Sequence, residues 1–181
     1  MIVFFGPVGA GKSVQGQMLA ERFGWQWIST GNIFRASSDP DVQATLAAGK
    51  LISSEQTYQV LGEALEAVRH KQIILDGFPR KKEQAEWLIA NQAIFDFTVD
   101  LVIVIDVTKE EIIKRLTARG RVDDDAAVIE GRLKIYHDEV DPILQYLSEN
   151  KVPVVHVEGE GDMATIHEDI MKQVTAHKLD I

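Results

Sequence analysis

A chain of 181 residues, 45% hydrophobic and 26% charged, has the balance of an ordinary globular protein, and about one domain is expected. Its net charge of −9 makes it a poor general binder of nucleic acid or of an anionic membrane. Any anionic ligand must then be held by local arginines and backbone amides, and the absence of cysteine excludes disulfides and thiolate zinc sites.

Residues 2–5, Ile-Val-Phe-Phe, read as a short buried strand, so they cannot also be a removed signal peptide. Gly6-Pro7-Val8-Gly9-Ala10-Gly11-Lys12-Ser13 follows, which is G-x-x-x-x-G-K-[ST] without a mismatch. Its glycines let the backbone curl so that N–H groups, including those of Gly9, Ala10, Gly11 and Val14, point at phosphate oxygens. The helix behind adds its partial positive charge. Lys12 can reach the β and γ phosphates, and Ser13 can hold Mg²⁺. A nucleoside triphosphate is therefore the expected ligand.

A first helix is expected over 12–23, with Val14, Met18, Leu19 and Phe23 on one side and Gly24 at its end. Residues 25–28 are apolar and extended, their tryptophans reading as packing residues. Ser29-Thr30-Gly31-Asn32 reads as a turn and cap. A weaker helical region spans 33–50, interrupted at Asp39-Pro40-Asp41 with Pro40 suited to a first helical position. Ser53 opens a stronger helix carrying Tyr58, Leu61, Leu65 and Val68. Residues 72–75 form a buried strand ending in Asp76, followed by the turn Gly77-Phe78-Pro79-Arg80 and a helix to about residue 93.

Residues 101–105 form another strand. It is the longest apolar stretch, and it is far too short to span a bilayer. A soluble cytoplasmic protein, monomeric and without nucleic-acid or membrane partners, is expected. A helix over 110–119 ends at Gly120. A long helix over 125–148 carries Ile129, Leu133, Tyr136, Val140, Ile143 and Leu147, and Pro142 should kink or restart it. Residues 152–157 read as a strand, and a last helix carries Met163, Ile166, Ile170 and Val174. Continuous apolar strands alternating with helices imply a parallel sheet covered on both faces. The expected fold is α/β: a three-layer α/β/α P-loop NTPase with a doubly wound parallel sheet of about five strands. Ligands should sit at the carboxyl ends of the strands, where the P-loop, Asp76 and Asp106 fall.

A P-loop alone does not separate kinases from GTPases, ATPases or motors. Four further stretches do: Ser29-Thr30-Gly31-Asn32-Ile33-Phe34-Arg35; Gly49-Lys50-Leu51-Ile52; Asp76-Gly77-Phe78-Pro79-Arg80 with Gln84; and Arg119-Gly120-Arg121-Val122-Asp123-Asp124 with Arg132. In this order, over essentially the whole chain, they resemble the adenylate kinase family of nucleoside monophosphate kinases. Chemistry supports the likeness. Transfer between two polyanionic nucleotides needs positive charge around the moving phosphoryl group and exclusion of water. Arg35, Arg80, Arg119, Arg121 and Arg132 can form that clamp, whereas Arg115 reads as a surface salt-bridge partner.

The resemblance implies a single kinase domain over 1–181, with an acceptor-binding insertion at 30–62 and a vestigial lid at 119–125. It implies that Arg35 and Arg80 grip the acceptor phosphate, that Arg121 and Arg132 reach the transferring phosphoryl, and that Arg119 lies against ATP. Lys12, Arg80, Arg121, Arg132 and Asp76 would be catalytic. Thr30, Gly31, Lys50, Leu51, Ile52, Gly77, Phe78 and Gln84 would complete the acceptor pocket, the Gln84 amide selecting AMP. The backbone at Gly159, within the tight acidic run Glu158-Gly159-Glu160-Gly161-Asp162, would lie near the ATP adenine. Asp76 is preferred over Asp106 as the carboxylate holding Mg²⁺ through water, because Asp106 leads into what looks like a helix cap. Asp123 and Asp124 resemble lid carboxylates, or else are charges at a helix N-terminus. None of the five histidines pairs with another at metal-ligand spacing, and all read as non-catalytic.

The chain departs from the family pattern at Ser13-Val14, at Asn32, at Ser53-Ser54 in place of Pro-Asp, and above all in its collapsed lid. Such a lid should exclude water poorly and allow some ATP hydrolysis. A kinase for UMP, CMP or a deoxynucleotide, and a regulatory nucleotide-binding protein with weak ATPase activity, remain the competing readings.

Overall fold

The computed structural model describes residues 1–120 and 125–179. Arg121, Asp123 and Asp124 lie outside them. Five strands form one parallel sheet: β1 (Ile2–Phe5), β2 (Gln26–Ser29), β3 (Ile73–Asp76), β4 (Leu101–Asp106) and β5 (Val154–Glu158), in the order β2-β3-β1-β4-β5. β1 is central, with Phe4 opposite Asp76 on β3 and Phe5 opposite Val104 on β4. The loop after β1 therefore opens between the carboxyl ends of its two neighbours, where ligands of open parallel sheets bind.

Alternation along the strands divides the core. Val3, Phe5, Leu75, Val102 and Val104 face one layer, made by α4 (Ser54–Ala67), α5 (Lys82–Ala90) and α8 (Ala126–Glu149). Ile2, Phe4, Ile74, Ile103 and Ile105 face the other, made by α1 (Lys12–Phe23) and α9 (Met163–Ala176). This is the expected three-layer arrangement, and it explains why the strands read as unbroken apolar runs.

Several boundaries differ from the sequence expectation. The region 33–50 forms two helices, α2 (Thr30–Arg35) and α3 (Pro40–Ala47). Ser29 caps the first, and Asp39 caps the second with Pro40 at its start. The helix after β3 stops at Ala90 and gives way to the short α6 (Gln92–Phe95). α7 (Lys109–Arg119) starts at the Thr108 cap and ends at Gly120, whose φ of 63° suits glycine. Pro142 does not restart α8: Ile129, Leu133, Ile143 and Leu147 are all buried along one continuous helix. β5 begins at Val154 because Pro153 has no N–H, although its carbonyl accepts from Val102 at 2.9 Å. In α1 the buried residues are Gln15, Gly16, Leu19 and Ala20, and Val14 is turned outward, 42% exposed. Gly16 lies on that buried face, where a Cβ would stand 3.1 Å from the Trp27 ring, so the glycine eases the close approach of the helix to β2.

Candidate active site

The P-loop leaves β1 through Gly6, whose φ is 142° and where a Cβ would lie 2.7 Å from the Ile105 carbonyl. Only glycine fits against β4 there. The loop ends at Gly11, in the left-handed region, as the N-cap of α1. No side chain caps that terminus and no acidic residue occupies its first turn, which leaves its N–H groups to an anion. Lys12 curls over the loop and donates from Nζ to the carbonyls of Gly6 (2.7 Å) and Pro7 (2.8 Å). Desolvation in the cleft pushes its pKa down to about 8. Asp76 opposes that shift, while Arg80, Arg132 and Arg119 add to it. These cations line the same cleft.

Asp76 ends β3 and is 3% exposed; its Oδ2 accepts from Ser13 Oγ at 2.6 Å. Asp106, its competitor, is half-exposed and lies 2.7 Å from His156 Nδ1. After Asp76 the chain turns at Gly77, with φ 84°; a Cβ there would come within 2.9 Å of Thr30 Oγ1. The Gly77 carbonyl accepts from Thr30 Oγ1 (3.0 Å) and from Arg80 Nε (2.8 Å). That second bond anchors the guanidinium and leaves its two terminal nitrogens for a phosphate. Desolvation, then Arg132 and Arg35, push Arg80 down to about 10 against the pull of Asp76, so it stays charged at neutral pH.

The P-loop residues Gly9, Ala10, Gly11, Lys12, Ser13 and Val14 line one cleft of about 450 Å³ together with Asp76, Arg80, Arg119, Arg132 and Gly161. A smaller pocket beside it is lined by Thr30, Lys50, Ile52 and Gln84, and shares Gly31, Arg35, Gly49, Leu51, Gly77, Arg80 and Arg132 with the cleft. Arg35 is also bonded to the Asn32 side chain. Phe78 is buried between β3 and α5, against Tyr58 and Trp87, so it supports the turn. Gly159 packs on Ile105 and Val107, its N–H bonded to the Asp106 carbonyl at 2.8 Å.

Two features had no sequence signal strong enough to read. Arg115 pairs with Glu111 (2.9 Å), as its plain reading required, but it also donates to the Gly159 carbonyl (2.7 Å) and lines the cleft. Its i, i+4 spacing from Arg119, which puts both on one face of α7, was the available clue. Behind the P-loop, Gln15 donates to the Met163 carbonyl (3.0 Å) and its Oε1 faces His167 Nδ1 at 3.1 Å. An amide oxygen only accepts, so Nδ1 carries the hydrogen. Burial, with Arg22 nearby, holds His167 below its usual pKa. The unfolded chain therefore protonates first as pH falls. Urea midpoints should decline as pH drops below about 6.5 toward the lower folded value, and His167→Gln should remove that part of the decline. An unchanged slope in the variant would assign the acid sensitivity elsewhere.

A parallel sheet whose central strand feeds a phosphate-cradling loop, with Lys12 over it and a buried carboxylate beside it, defines a P-loop nucleotide-binding α/β protein. The family model described as adenylate kinase matches residues 4–152. The adenylate kinase of Mycobacteroides abscessus is 39% identical over 168 residues, 89% of this chain and 92% of that one. That of Corynebacterium glutamicum is 32% identical over 178 residues, 94% and 97% of the two chains. That of Rhodococcus erythropolis is 34% identical over 173 residues, 92% and 94%. The chain belongs to the adenylate kinase family and is a phosphotransferase. Among the described residues no helix is long and apolar enough to cross a membrane.

Proposed function

We propose that the protein transfers the γ-phosphoryl group of ATP to AMP, giving two ADP. The observation that carries this reading is the shared wall: Arg35, Arg80 and Arg132 line both the P-loop cleft and the adjoining pocket. Two phosphate-bearing ligands, one from each side, would meet at those guanidinium groups, close to Lys12. Such a transfer is catalysed mainly by position and charge. Lys12 and the P-loop amides hold the donor phosphates. Arg35 and Arg80 hold the acceptor phosphate. Arg132, with Arg121 by resemblance, steadies charge on the group in flight. Arg119 lies along the donor, and Gly159 with Arg115 closes its base end. Thr30, Gly31, Lys50, Leu51 and Ile52 wall the acceptor, with Gln84 at its base.

Ser13 and Asp76 fit Mg²⁺. Both present hard oxygen atoms beside the P-loop, and Mg²⁺ characteristically keeps waters and takes few protein ligands. Among the described residues no cluster of three or more His, Cys, Asp or Glu gathers to hold a metal. Bound there, the ion would withdraw charge from the phosphate oxygens.

Residues 30–62 act in this reading as the acceptor insertion, with a small core of their own at Phe34, Val42 and Ile52. Residues 119–125, between the end of α7 and the start of α8, act as a minimal lid, to which Asp123 and Asp124 would belong.

A coupled assay of ATP with AMP, CMP, UMP, GMP and dAMP, with and without Mg²⁺, tests the proposal. AMP should give the highest kcat/KM, transfer should depend on Mg²⁺, and some phosphate should be released without acceptor. A higher kcat/KM for UMP or CMP would overturn the adenine assignment. Hydrolysis that no monophosphate stimulates would point to the regulatory reading.

A further inference from the structure

Gln84 is 3% exposed on the first turns of α5, and its amide is held at both ends. Oε1 accepts from the Arg80 backbone N–H at 2.8 Å, and Nε2 donates to Ser54 Oγ at 3.2 Å. Ser54 opens α4, and its hydroxyl donates to the Glu83 carboxylate. A carboxylate only accepts. The serine hydrogen is therefore committed to Glu83, and only a lone pair faces Gln84. A free hydroxyl could turn and donate to an inverted amide; this one cannot. The Arg80 N–H imposes the same sense from the other end, because a donor needs the amide oxygen opposite it.

We propose that Ser54 is a positioning residue that fixes which way round the Gln84 amide faces the acceptor base, and so sets the preference for a 6-amino over a 6-oxo purine monophosphate. This rests on Gln84 as the base reader of an AMP site. Held as it is, the amide has one acceptor lone pair and one N–H to spare. Adenine offers an amino donor beside a ring-nitrogen acceptor, which matches that pair in one register. Hypoxanthine offers an oxo acceptor beside a ring N–H, which is the reverse. To meet it, the amide must invert and abandon both the Arg80 N–H and Ser54. A site with its own polar groups paired rejects the wrong edge because inversion strands them. Ser54 stands where the family pattern carries aspartate. An aspartate there would oppose Glu83 and could not donate to it, so the serine and the glutamate function as a pair.

The test is the ratio of kcat/KM for AMP to that for inosine monophosphate. Ser54→Ala should lower this ratio by about five- to tenfold, the worth of one hydrogen bond, through KM for the monophosphates with kcat and KM for ATP nearly unchanged. Glu83→Ala, which frees the hydroxyl, should move the ratio in the same direction by less. Ser54→Thr, which keeps the hydroxyl, should preserve it. A wild-type protein that prefers AMP together with an unchanged ratio in Ser54→Ala would overturn the role of Ser54 alone. So would an equal loss on both acceptors, which marks a merely structural residue. A wild-type protein that shows no preference for AMP would overturn the acceptor reading itself, and this inference with it.

Discussion

Lys12→Ala is expected to lower kcat/KM for phosphoryl transfer by at least about two to three orders of magnitude while leaving the fold intact. The Lys12 Nζ bonds two P-loop carbonyls at the wall of the cleft, so its removal leaves those acceptors facing the cleft. Its place among Arg80, Arg132 and Arg119 carries a second consequence. Without ligand, its pKa is pushed down to about 8. A triphosphate beside the ammonium must raise it again, so the complex binds more protons than the free protein once pH passes about 8. ATP affinity should therefore weaken as pH rises through that value, with proton uptake on binding detectable by titration calorimetry in buffers of different ionisation enthalpy. The substituted protein should bind ATP weakly and without that dependence. A variant keeping more than about a tenth of the wild-type kcat/KM, or the same pH dependence, would remove Lys12 from this role.

The parts of the molecule that could be read from sequence are those fixed by local physics. Parallel strands buried on both faces must be apolar throughout, so residues 2–5, 73–75 and 101–105 announced themselves. The P-loop needs glycines and a lysine at set spacings, and Asp76 with Arg80 sits where a strand end meets a turn. Glycines 24 and 120 ended their helices as the sequence implied, both in the left-handed region. The parts that could not be read depend on partners far apart in the chain. Gln15 and His167 are 152 residues apart, and Ser54 and Glu83 are 29 apart. Nothing in either segment announces the other. Val14 looked like a core residue because its spacing from Met18 suits a helix face. The stripe that packs instead includes Gln15 and Gly16, the latter close against Trp27, a tertiary fit that hydrophobicity does not encode. Arg115 was legible as a salt-bridge partner, and it is one, with Glu111. Its second bond, to Gly159, depends on the distant β5–α9 loop coming alongside α7.

Arg80→Ala should match the lysine substitution in severity and differ from it in kind. Arg80 lines both the cleft and the acceptor pocket, and its Nε is spent on the Gly77 carbonyl. The two terminal nitrogens then present a fork to phosphate, fixed in plane by the turn it sits on. Removing it should cost about 3–4 kcal/mol of transition-state stabilisation, a fall of two to three orders of magnitude in kcat/KM, seen with either substrate varied. Because the donor cleft keeps Lys12 and the P-loop amides, ATP binding itself should fall much less. Arg80→Lys separates charge from geometry. A lysine restores one positive charge but only as a single point, without the planar pair of terminal nitrogens that the guanidinium presents to phosphate while its Nε holds Gly77. It should therefore recover only a minor part of the loss. Removal of an arginine also relieves Lys12 of a neighbouring positive charge, so the pKa of Lys12 should rise and the alkaline decline in ATP affinity should shift to higher pH. Full activity in Arg80→Lys would show that charge alone suffices at this position. An ATP affinity lowered as much as the rate would show that Arg80 holds the donor, and not the point where donor and acceptor meet.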